Sequence, residues 1–317
     1  MCVCSVTYLL CFFCDILITF AQNKNLMVNI SKTKKIAAVH DLSGVGKVSL
    51  NVVIPVLTSM GFQVCPLPTA VLSNHTQYPQ FSFLDLTEEM KKIIDYWKKI
   101  DAEFDAFYSG YLGSPDQVNI VKQFIADFRK EDSLVVVDPV LGDNGKLYSN
   151  FDQLIVVAMR QMITVADVIT PNLTELFELL EKPYQEHNTD DQLKQYMLEL
   201  SDKGPSIVII TNVPVLNDPH MTSVYAYNKN GNRFWKTTCP YVPAHYPGTG
   251  DTFTSVITGA LMQGDSLPMA LDRAAQFCYQ GIRATYGYQY DFREGILLEK
   301  VLPFLNTPIQ VSSYELI

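Results

Sequence analysis

Two glycines and an acid stand directly before a helical pattern in the stretch 247–253. Gly248 and Gly250 can adopt a positive φ and let a phosphate approach the backbone without a Cβ in the way. The free N–H groups of the first helical turn point at the same place, so the stretch predicts an anion hole. A carboxylate beside that hole would repel a bound phosphate, and we therefore expect Asp251 to act as a base on a hydroxyl that attacks the phosphate. The alternative is that Thr249 or Asp251 only caps the helix.

The loop after the first apolar run, residues 35–39, carries Ser43 among glycines. It matches neither a P-loop nor a dinucleotide fingerprint, because Asp41 replaces the first glycine of the former and Ser49 the third glycine of the latter. A loop between a strand and a helix is nevertheless where α/β sheets bind ligands. Ser43 is therefore a candidate substrate contact, and the alternative is a helix cap.

The segment Ser73–Tyr78 combines Asn, His, Thr and Gln side chains without an apolar period. Its donors and acceptors, which include Thr76 and Gln77, suit a polar heteroaromatic ring. His75 has a second interpretation, because a lone histidine can serve a structural role instead of binding a ligand.

Acidic side chains follow two further predicted strands. Asp138 and Asp143 come after the β-branched run 134–137, which is typical of a central parallel strand. Carboxylates at the end of a strand suit a hydrated Mg²⁺, which keeps most of its waters and takes other oxygens from phosphates. Glu175 opens the helix after the next strand and would be a third ligand or hold a water. The alternatives are a helix cap or a solvated turn for the aspartates, and an ordinary first-turn acid for Glu175.

Short apolar strands alternate with helical patterns along the chain, and no internal repeat or linker interrupts them. Residues 222–238 read as a hairpin with turn residues at its tip, which would add antiparallel strands at one end of the sheet. We predict an α/β fold, a single doubly wound, mostly parallel sheet with helices on both faces. The chemical side chains then lie at strand ends and in the loop 248–251.

The composition bounds the function. At 317 residues and 48% hydrophobic content, the chain is large enough for a sizeable core. A net charge of −9 without a basic run argues against a nucleic-acid partner. Cys65, Cys239 and Cys278 are far apart and show no metal-ligand spacing, so we expect ordinary reduced core thiols.

The first 26 residues are an apolar N-terminal extension, and we expect the folded domain to span residues 34–305. A signal peptide would need a positive start, which is missing, and a membrane span would be marginal in length and interrupted by Asp15. We favour initiation at Met27 or a dispensable extension. The alternative is an N-terminal anchor, and we expect membrane association only if the extension is retained.

Several motifs together resemble a known family. Gly248-Thr249-Gly250-Asp251 and the helix after it resemble a signature of the ribokinase superfamily. Four other segments resemble its pyridoxal kinase branch, namely residues 73–78, 109–114, 138–143 and 169–172. The first of these, Ser-Asn-His-Thr-x-Tyr, is the part specific for pyridoxal kinases, and the match runs from about Lys35 to about Pro303.

The resemblance implies a cytoplasmic, ATP-dependent phosphotransferase that acts on the 5′-hydroxymethyl group of pyridoxal, pyridoxine or pyridoxamine, in pyridoxal 5′-phosphate salvage. Members of the family usually use Mg²⁺ and often a monovalent cation (K⁺ or Na⁺). They are usually homodimers. The implied catalytic groups are Asp251 as base and the backbone from Gly248 to Gly250 as anion hole. The other implied site residues are Ser43, Thr76, Gln77 and again Asp251 for the substrate, Asn172, Thr211, Asn212, Thr249 and Gly250 for ATP, and Asp138, Asp143, Thr170 and Glu175 for the metal.

One departure concerns the ring that is recognised. Many pyridoxal kinases have a serine near the end of the first strand, where this chain has Val39-His40-Asp41. Asp41-x-Ser43-Gly44 instead resembles the hydroxymethylpyrimidine kinases of the same superfamily. The alternatives are thus a hydroxymethylpyrimidine kinase, a kinase that accepts both rings, or a non-catalytic B6-binding protein. The presence of Asp251 argues against the last, because a binding protein needs no base.

Overall fold

The computed structural model describes residues 33–307 and 313–317, and the predicted extension over residues 1–26 lies outside them. Within the described residues, one ten-stranded sheet runs in the order β12-β11-β10-β9-β8-β5-β4-β1-β2-β3, and β6 pairs separately with β7. The strands are β1 (Lys35–Ser43), β2 (Gln63–Leu72), β3 (Phe83–Asp85), β4 (Ala106–Ser109), β5 (Leu134–Val137), β6 (Gly142–Asp143), β7 (Lys146–Leu147), β8 (Val168–Ile169), β9 (Ile207–Pro214), β10 (Met221–Asn228), β11 (Arg233–Pro240) and β12 (Tyr314–Leu316).

Helices cover both faces of this sheet. They are α1 (Leu50–Ser59), α2 (Thr87–Lys99), α3 (Pro115–Phe128), α4 (Gln153–Met162), α5 (Leu173–Leu180), α6 (Asp190–Ser201), α7 (Thr249–Gln263), α8 (Leu267–Tyr286) and α9 (Leu298–Val301). Three short 3₁₀ segments complete the described helical structure, at Ile163–Val165, Phe292–Glu294 and Leu302–Asn306.

The core divides into two layers because successive side chains of a strand point to opposite faces. Along β1, Ala37 and Val39 belong to the layer beneath α2 to α6, whereas Ile36 and Ala38 belong to the layer beneath α1, α7, α8 and α9. Buried on both faces, the central strands need apolar residues at every position, as in the Val-rich β5. The predicted doubly wound α/β fold is confirmed.

The six central strands are parallel, and antiparallel strands extend both edges. The predicted hairpin is β10 and β11, which adds to β9 at one edge. Two strands were not predicted: β3, which pairs with β2 at the other edge, and β12, which pairs with β11 and lies beyond the expected end of the domain at residue 305. Each is three residues long, too short to show an alternating pattern.

Parallel strands end at a common edge, and this edge gathers the polar residues that follow them. His40 lies in β1, and Ser109, Asp138 and Thr170 lie at or directly after the ends of β4, β5 and β8. Asn172 forms an isolated parallel bridge with Thr211 of β9. Among the helices that the structure describes, none is long and apolar enough to cross a membrane.

Candidate active site

Gly248 is the N-cap residue directly before helix α7, and its φ of 78° favours glycine. A Cβ at this position would lie 2.0 Å from the carbonyl oxygen of Lys47, so the close approach of the two loops also requires glycine. Neither side chain that was considered as a cap takes that role, because the Thr249 hydroxyl donates to the Tyr246 carbonyl (2.8 Å) and Asp251 bonds elsewhere. The first N–H groups of α7 therefore have no side-chain cap.

Asp251 lies in the first turn of α7 with its side chain only 14% exposed. The backbone N–H of Ser49 donates to Oδ2 (2.9 Å), and Oδ1 lies 3.8 Å from Nδ1 of His40. Burial raises the pKa of the Asp251 carboxyl to about 6, although the Ser49 N–H opposes the shift. Ser49 itself has a φ of 50°, a conformation rare for a residue with a side chain. The base predicted from sequence is thus held at a defined place beside an uncapped helix start.

Asp138 is buried and lies close to the same helix start, since a Cβ on Gly250 would be 3.9 Å from its Oδ2. The Thr254 hydroxyl is 3.4 Å from that oxygen and 2.9 Å from the Thr170 hydroxyl. Burial raises the pKa of Asp138 to about 8, and the charge of Asp251 adds to this effect. The structure therefore brings Asp138, Thr170, Gly250 and Asp251 together, as the sequence analysis expected.

The carboxylates of Asp143 and Glu175 already accept hydrogen bonds from nearby residues. Asp143 lies in the β6–β7 turn, where its carboxylate accepts from the Asn144 backbone (2.8 Å) and side chain (3.1 Å). Glu175 is buried and completes a capping box with Asn172, while its other oxygen accepts from the Leu141 N–H (3.2 Å). Each carboxylate thus already serves local structure, and any bond to a metal would be additional to it.

The groups around Asp138 show whether a cation fits this site. The effects that act on its pKa are burial, the Asp251 charge and two hydroxyl groups, and no cationic side chain is among them. A buried carboxylate without a positive partner suits a cation. No group of three acidic, histidine or cysteine side chains in the described ranges forms a cage for a metal. An ion here would take most of its ligands from water and phosphate, which is the habit of Mg²⁺.

Ser43 is buried beside Asp41 and does not cap α1. Its hydroxyl donates to Oδ2 of Asp41 (3.3 Å), and the Ser49 hydroxyl donates to Oδ1 (2.5 Å). Burial raises the pKa of Asp41, and the two serine hydroxyls oppose this shift. These bonds give the loop between β1 and α1 a defined shape next to Asp251.

The segment 73–78 divides into structural and exposed residues. His75 is buried, with Nε2 2.6 Å from the carbonyl oxygen of Arg293, which is the structural interpretation considered above. The Tyr78 hydroxyl donates to Oε1 of Glu294 (3.2 Å). Thr76 and Gln77 are exposed at the tip between them. The 3₁₀ turn Phe292–Glu294 therefore braces the segment that presents Thr76 and Gln77.

The same turn also contacts the loop between β1 and α1. The Lys47 N–H donates to the Glu294 carbonyl (3.1 Å), and the Lys47 ammonium donates to the Tyr290 hydroxyl (2.9 Å). Residues near the C-terminus thus tie together two loops that are far apart in sequence.

A cavity of about 410 Å³ lies beside the start of α5, the end of β9 and the start of β10. Asp143, Asn172 and Asn212 line it together with Tyr184 and Tyr241. Its size suits a drug-sized or nucleotide-sized ligand. Thr211 and Thr249, two other predicted ATP contacts, are not among its lining residues.

Three contributors to the site were missed in the sequence. Ser49 acts through its backbone N–H, for which no sequence signal exists. The Tyr108 hydroxyl lies 3.4 Å from the carbonyl oxygen of Asp251, and His40 lies against the Asp251 carboxylate. Both of these could have been found, because they stand near the carboxyl ends of strands, as Asp138 does.

Comparison with known proteins gives consistent results. Residues 56–295 match the family described as Phosphomethylpyrimidine kinase. A pyridoxal kinase PdxY of Corynebacterium diphtheriae is 29% identical over 250 residues, which is 77% of this chain and 86% of the relative. A pyridoxal kinase of Lactobacillus plantarum, with 33% identity and a TM-score of 0.79, aligns over 87% of this chain and 97% of its own. A candidate phosphomethylpyrimidine kinase of Bacteroides thetaiotaomicron, crystallised with pyridoxal, is 74% identical, with a TM-score of 0.88 over 90% of this chain and 100% of its own.

Proposed function

The chain belongs to the phosphomethylpyrimidine kinase family, within the pyridoxal kinase branch of the ribokinase-like fold, and we propose that it phosphorylates the 5′-hydroxymethyl group of pyridoxal, pyridoxine or pyridoxamine with ATP. The observation that carries this proposal is the position of Asp251, a largely buried carboxylate of raised pKa beside an uncapped helix start. The 74% identical protein crystallised with pyridoxal supports the choice of ring.

In the proposed reaction the hydroxyl oxygen of the substrate bonds to the γ-phosphorus as the bond from that phosphorus to the β,γ-bridging oxygen breaks. Asp251 accepts the hydroxyl proton, and ADP leaves with the bridging oxygen. The N–H groups from Gly248 to Gly250 face the charge that develops on the transferred phosphoryl group. Gly250 leaves room for this group, because outside the neighbouring residues of α7 the nearest described atom to a Cβ there would be Asp138 Oδ2 at 3.9 Å.

We propose Mg²⁺ at Asp138, together with Thr170 and with Asp143 and Glu175 through water. When bound, the ion would neutralise phosphate charge. Asp138 needs a positive partner in its buried position, and this supports the assignment. A monovalent cation, K⁺ or Na⁺, is a further proposal, which turnover with each chloride salt would test.

We propose that ATP enters the 410 Å³ cavity with its base near Asn172 and Asn212. Thr211 and Thr249 lie outside the cavity lining, and we assign them to the phosphate end of the nucleotide. Ser43, Thr76 and Gln77 are the proposed groups around the vitamer ring. The Ser43 hydroxyl is buried and bonded to Asp41 in this structure, where it fixes the shape of the loop. A direct contact between Ser43 and the ring would require this loop to move.

Tyr78→Phe is expected to raise KM for the vitamer about 5-fold, the effect of one lost hydrogen bond, and to leave KM for ATP unchanged. The hydroxyl of Tyr78 ties the exposed Thr76–Gln77 tip to Glu294, so its loss loosens the ring side of the site alone. Steady-state kinetics with each substrate varied in turn measures the effect. Tyr96→Phe, on the exposed face of α2, is the control. Equal changes in both KM values would show that the brace does not serve the vitamer specifically.

The proposed function is tested by ATP- and Mg²⁺-dependent phosphorylation with the full chain, offering pyridoxal, pyridoxamine and hydroxymethylpyrimidine in parallel. We expect the pyridines to be preferred. Preference for the pyrimidine would indicate that the loop with Asp41 and Ser43, and not the segment 73–78, determines which ring is recognised. Binding of pyridoxal without turnover of any compound would instead favour the non-catalytic B6-binding protein.

We also infer a homodimer and a cytoplasmic location. Edge strand β3 exposes Phe83 (47%) and Leu84 (61%), an unprotected apolar edge that a second copy could cover. Sedimentation at assay concentration would contradict the dimer if it gave the monomer mass. Cys65, Cys239 and Cys278 form no disulfide among the described residues, which suits a reducing compartment where ATP is available. Cell fractionation tests the location.

A further inference from the structure

His40 is a buried polar residue whose two ring nitrogens have no hydrogen-bond partner in the part of the chain that the structure describes. Its side chain is completely buried in the second half of β1. Within the described residues, neither Nδ1 nor Nε2 makes a hydrogen bond. Burial lowers the pKa of His40 to about 3, so the ring is neutral. An unsatisfied buried nitrogen costs free energy, and such a group in a native protein calls for an explanation.

The surroundings hold the ring against the proposed base. Nδ1 faces Oδ1 of Asp251 at 3.8 Å, which is longer than a hydrogen bond. The Tyr108 ring packs edge-on at 4.4 Å between centroids. A Cβ on Gly110 would fall 2.4 Å from Nδ1, so the ring occupies space that only glycine leaves. The imidazole is thus confined, and across this gap Nδ1 faces the Asp251 carboxylate, which can accept a hydrogen bond.

We propose that His40 is a positioning residue for Asp251, donating from Nδ1–H to Oδ1 when substrates close the site. This inference rests on the proposed function, in which Asp251 takes the hydroxyl proton. In the structure Oδ2 accepts from the Ser49 N–H at 2.9 Å, whereas Oδ1 lies 3.8 Å from His40 Nδ1 and has no shorter contact with a donor from residues 33–307 or 313–317. Catalytic hydrogen bonds are often long in a free enzyme and tighten in the complex with substrate.

Two hydrogen bonds orient the Asp251 carboxylate better than one. With Ser49 alone, the carboxylate can still rotate about the bond that carries it. A second donor on Oδ1 removes this freedom and leaves the other lone pair of that oxygen directed at the hydroxyl. Because the ring is neutral, it helps hold Asp251 in the charged, proton-accepting form without itself competing for the proton.

The test compares His40→Leu with His40→Asn. Leucine fills the space and has no donor, so kcat is expected to fall about 10-fold or more. Asparagine places an amide nitrogen where Nδ1 stands, and kcat is expected to return to within about threefold of wild type. KM for ATP and for pyridoxal should stay within about threefold in both variants, since the loss concerns the chemical step. Wild-type kcat in His40→Leu, or equal losses in the two variants, would overturn the proposal.

A second measurement does not depend on the variants folding or on turnover. The chain contains five histidines, and ¹⁵N-labelled histidine allows the ring tautomer of each to be read by NMR. In the complex with ADP, aluminium fluoride and pyridoxal, His40 is expected to carry its proton on Nδ1. A proton on Nε2 would overturn the proposal. If wild type phosphorylates no vitamer, the proposed function fails, and the tautomer still decides whether His40 faces Asp251 as a donor.

Discussion

Asp251→Asn is expected to lower kcat by roughly 10²-fold or more, which is the usual contribution of a positioned general base. The substitution keeps the shape of the side chain, and the amide oxygen can still accept the Ser49 N–H that now bonds to Oδ2. What disappears is the ability to take the proton of the attacking hydroxyl. Turnover with saturating ATP and pyridoxal measures the loss directly.

The control for this variant separates chemistry from folding. Asp95→Asn makes the same chemical change on the exposed face of α2 and should keep wild-type kcat. Calorimetric titration of Asp251→Asn with pyridoxal should give an affinity close to wild type, because the carboxylate is assigned to the reaction step. Wild-type kcat in Asp251→Asn would remove the proposed mechanism.

Asp138→Ala is expected to lower turnover by roughly 10²-fold at millimolar Mg²⁺, and higher Mg²⁺ should restore part of it. We base this magnitude on known metal sites, where mutation of a residue that only hydrogen-bonds to a metal ligand already lowers metal affinity or activity by about 10- to 100-fold. Removal of the carboxylate leaves the weaker hydroxyl ligands Thr170 and Thr254 at this point. Initial rates over a series of Mg²⁺ concentrations measure the shift in the midpoint. A Mg²⁺ dependence identical to wild type would exclude Asp138 as a ligand.

Stability distinguishes this loss from damage to the fold. Asp138 is a buried carboxylate whose pKa is raised by burial and by Asp251, so removing it relieves an unfavourable interaction. We therefore expect the melting temperature of Asp138→Ala without ligands to be equal to or above that of wild type. Asp143→Ala is the matched variant, since its carboxylate is bonded within its own turn, and its effect on the Mg²⁺ midpoint should be smaller.

Much of the fold followed from local patterns. The apolar run of β5 predicted a strand buried on both faces, and the hairpin of β10 and β11 was expected from its turn residues. The loop before α7 was recognised from its glycines, and Gly248 has the positive φ that such a loop requires. The three-residue strands β3 and β12 escaped prediction because a segment so short has no measurable period.

The segment 73–78 shows the limit of a local motif. Its resemblance to pyridoxal kinases drew attention to donors and acceptors, yet His75 bonds to the Arg293 carbonyl and Tyr78 to Glu294. A histidine that binds a ligand and one that braces a loop have the same sequence signature. The distinction depends on a turn more than 200 residues away, and the separation of His75 from Arg293 is 218 positions.

Local patterns were enough to predict the alternation of strands and helices, the acids at the strand ends and the glycine loop before α7. These are properties of neighbouring residues, governed by apolar periodicity and by the φ values that each residue allows. The tertiary structure alone decided what surrounds Asp251: the Ser49 N–H, 202 positions away, holds one oxygen, and the buried His40 ring faces the other. Such contacts depend on how β1, α1 and α7 pack together, and no local pattern records that packing.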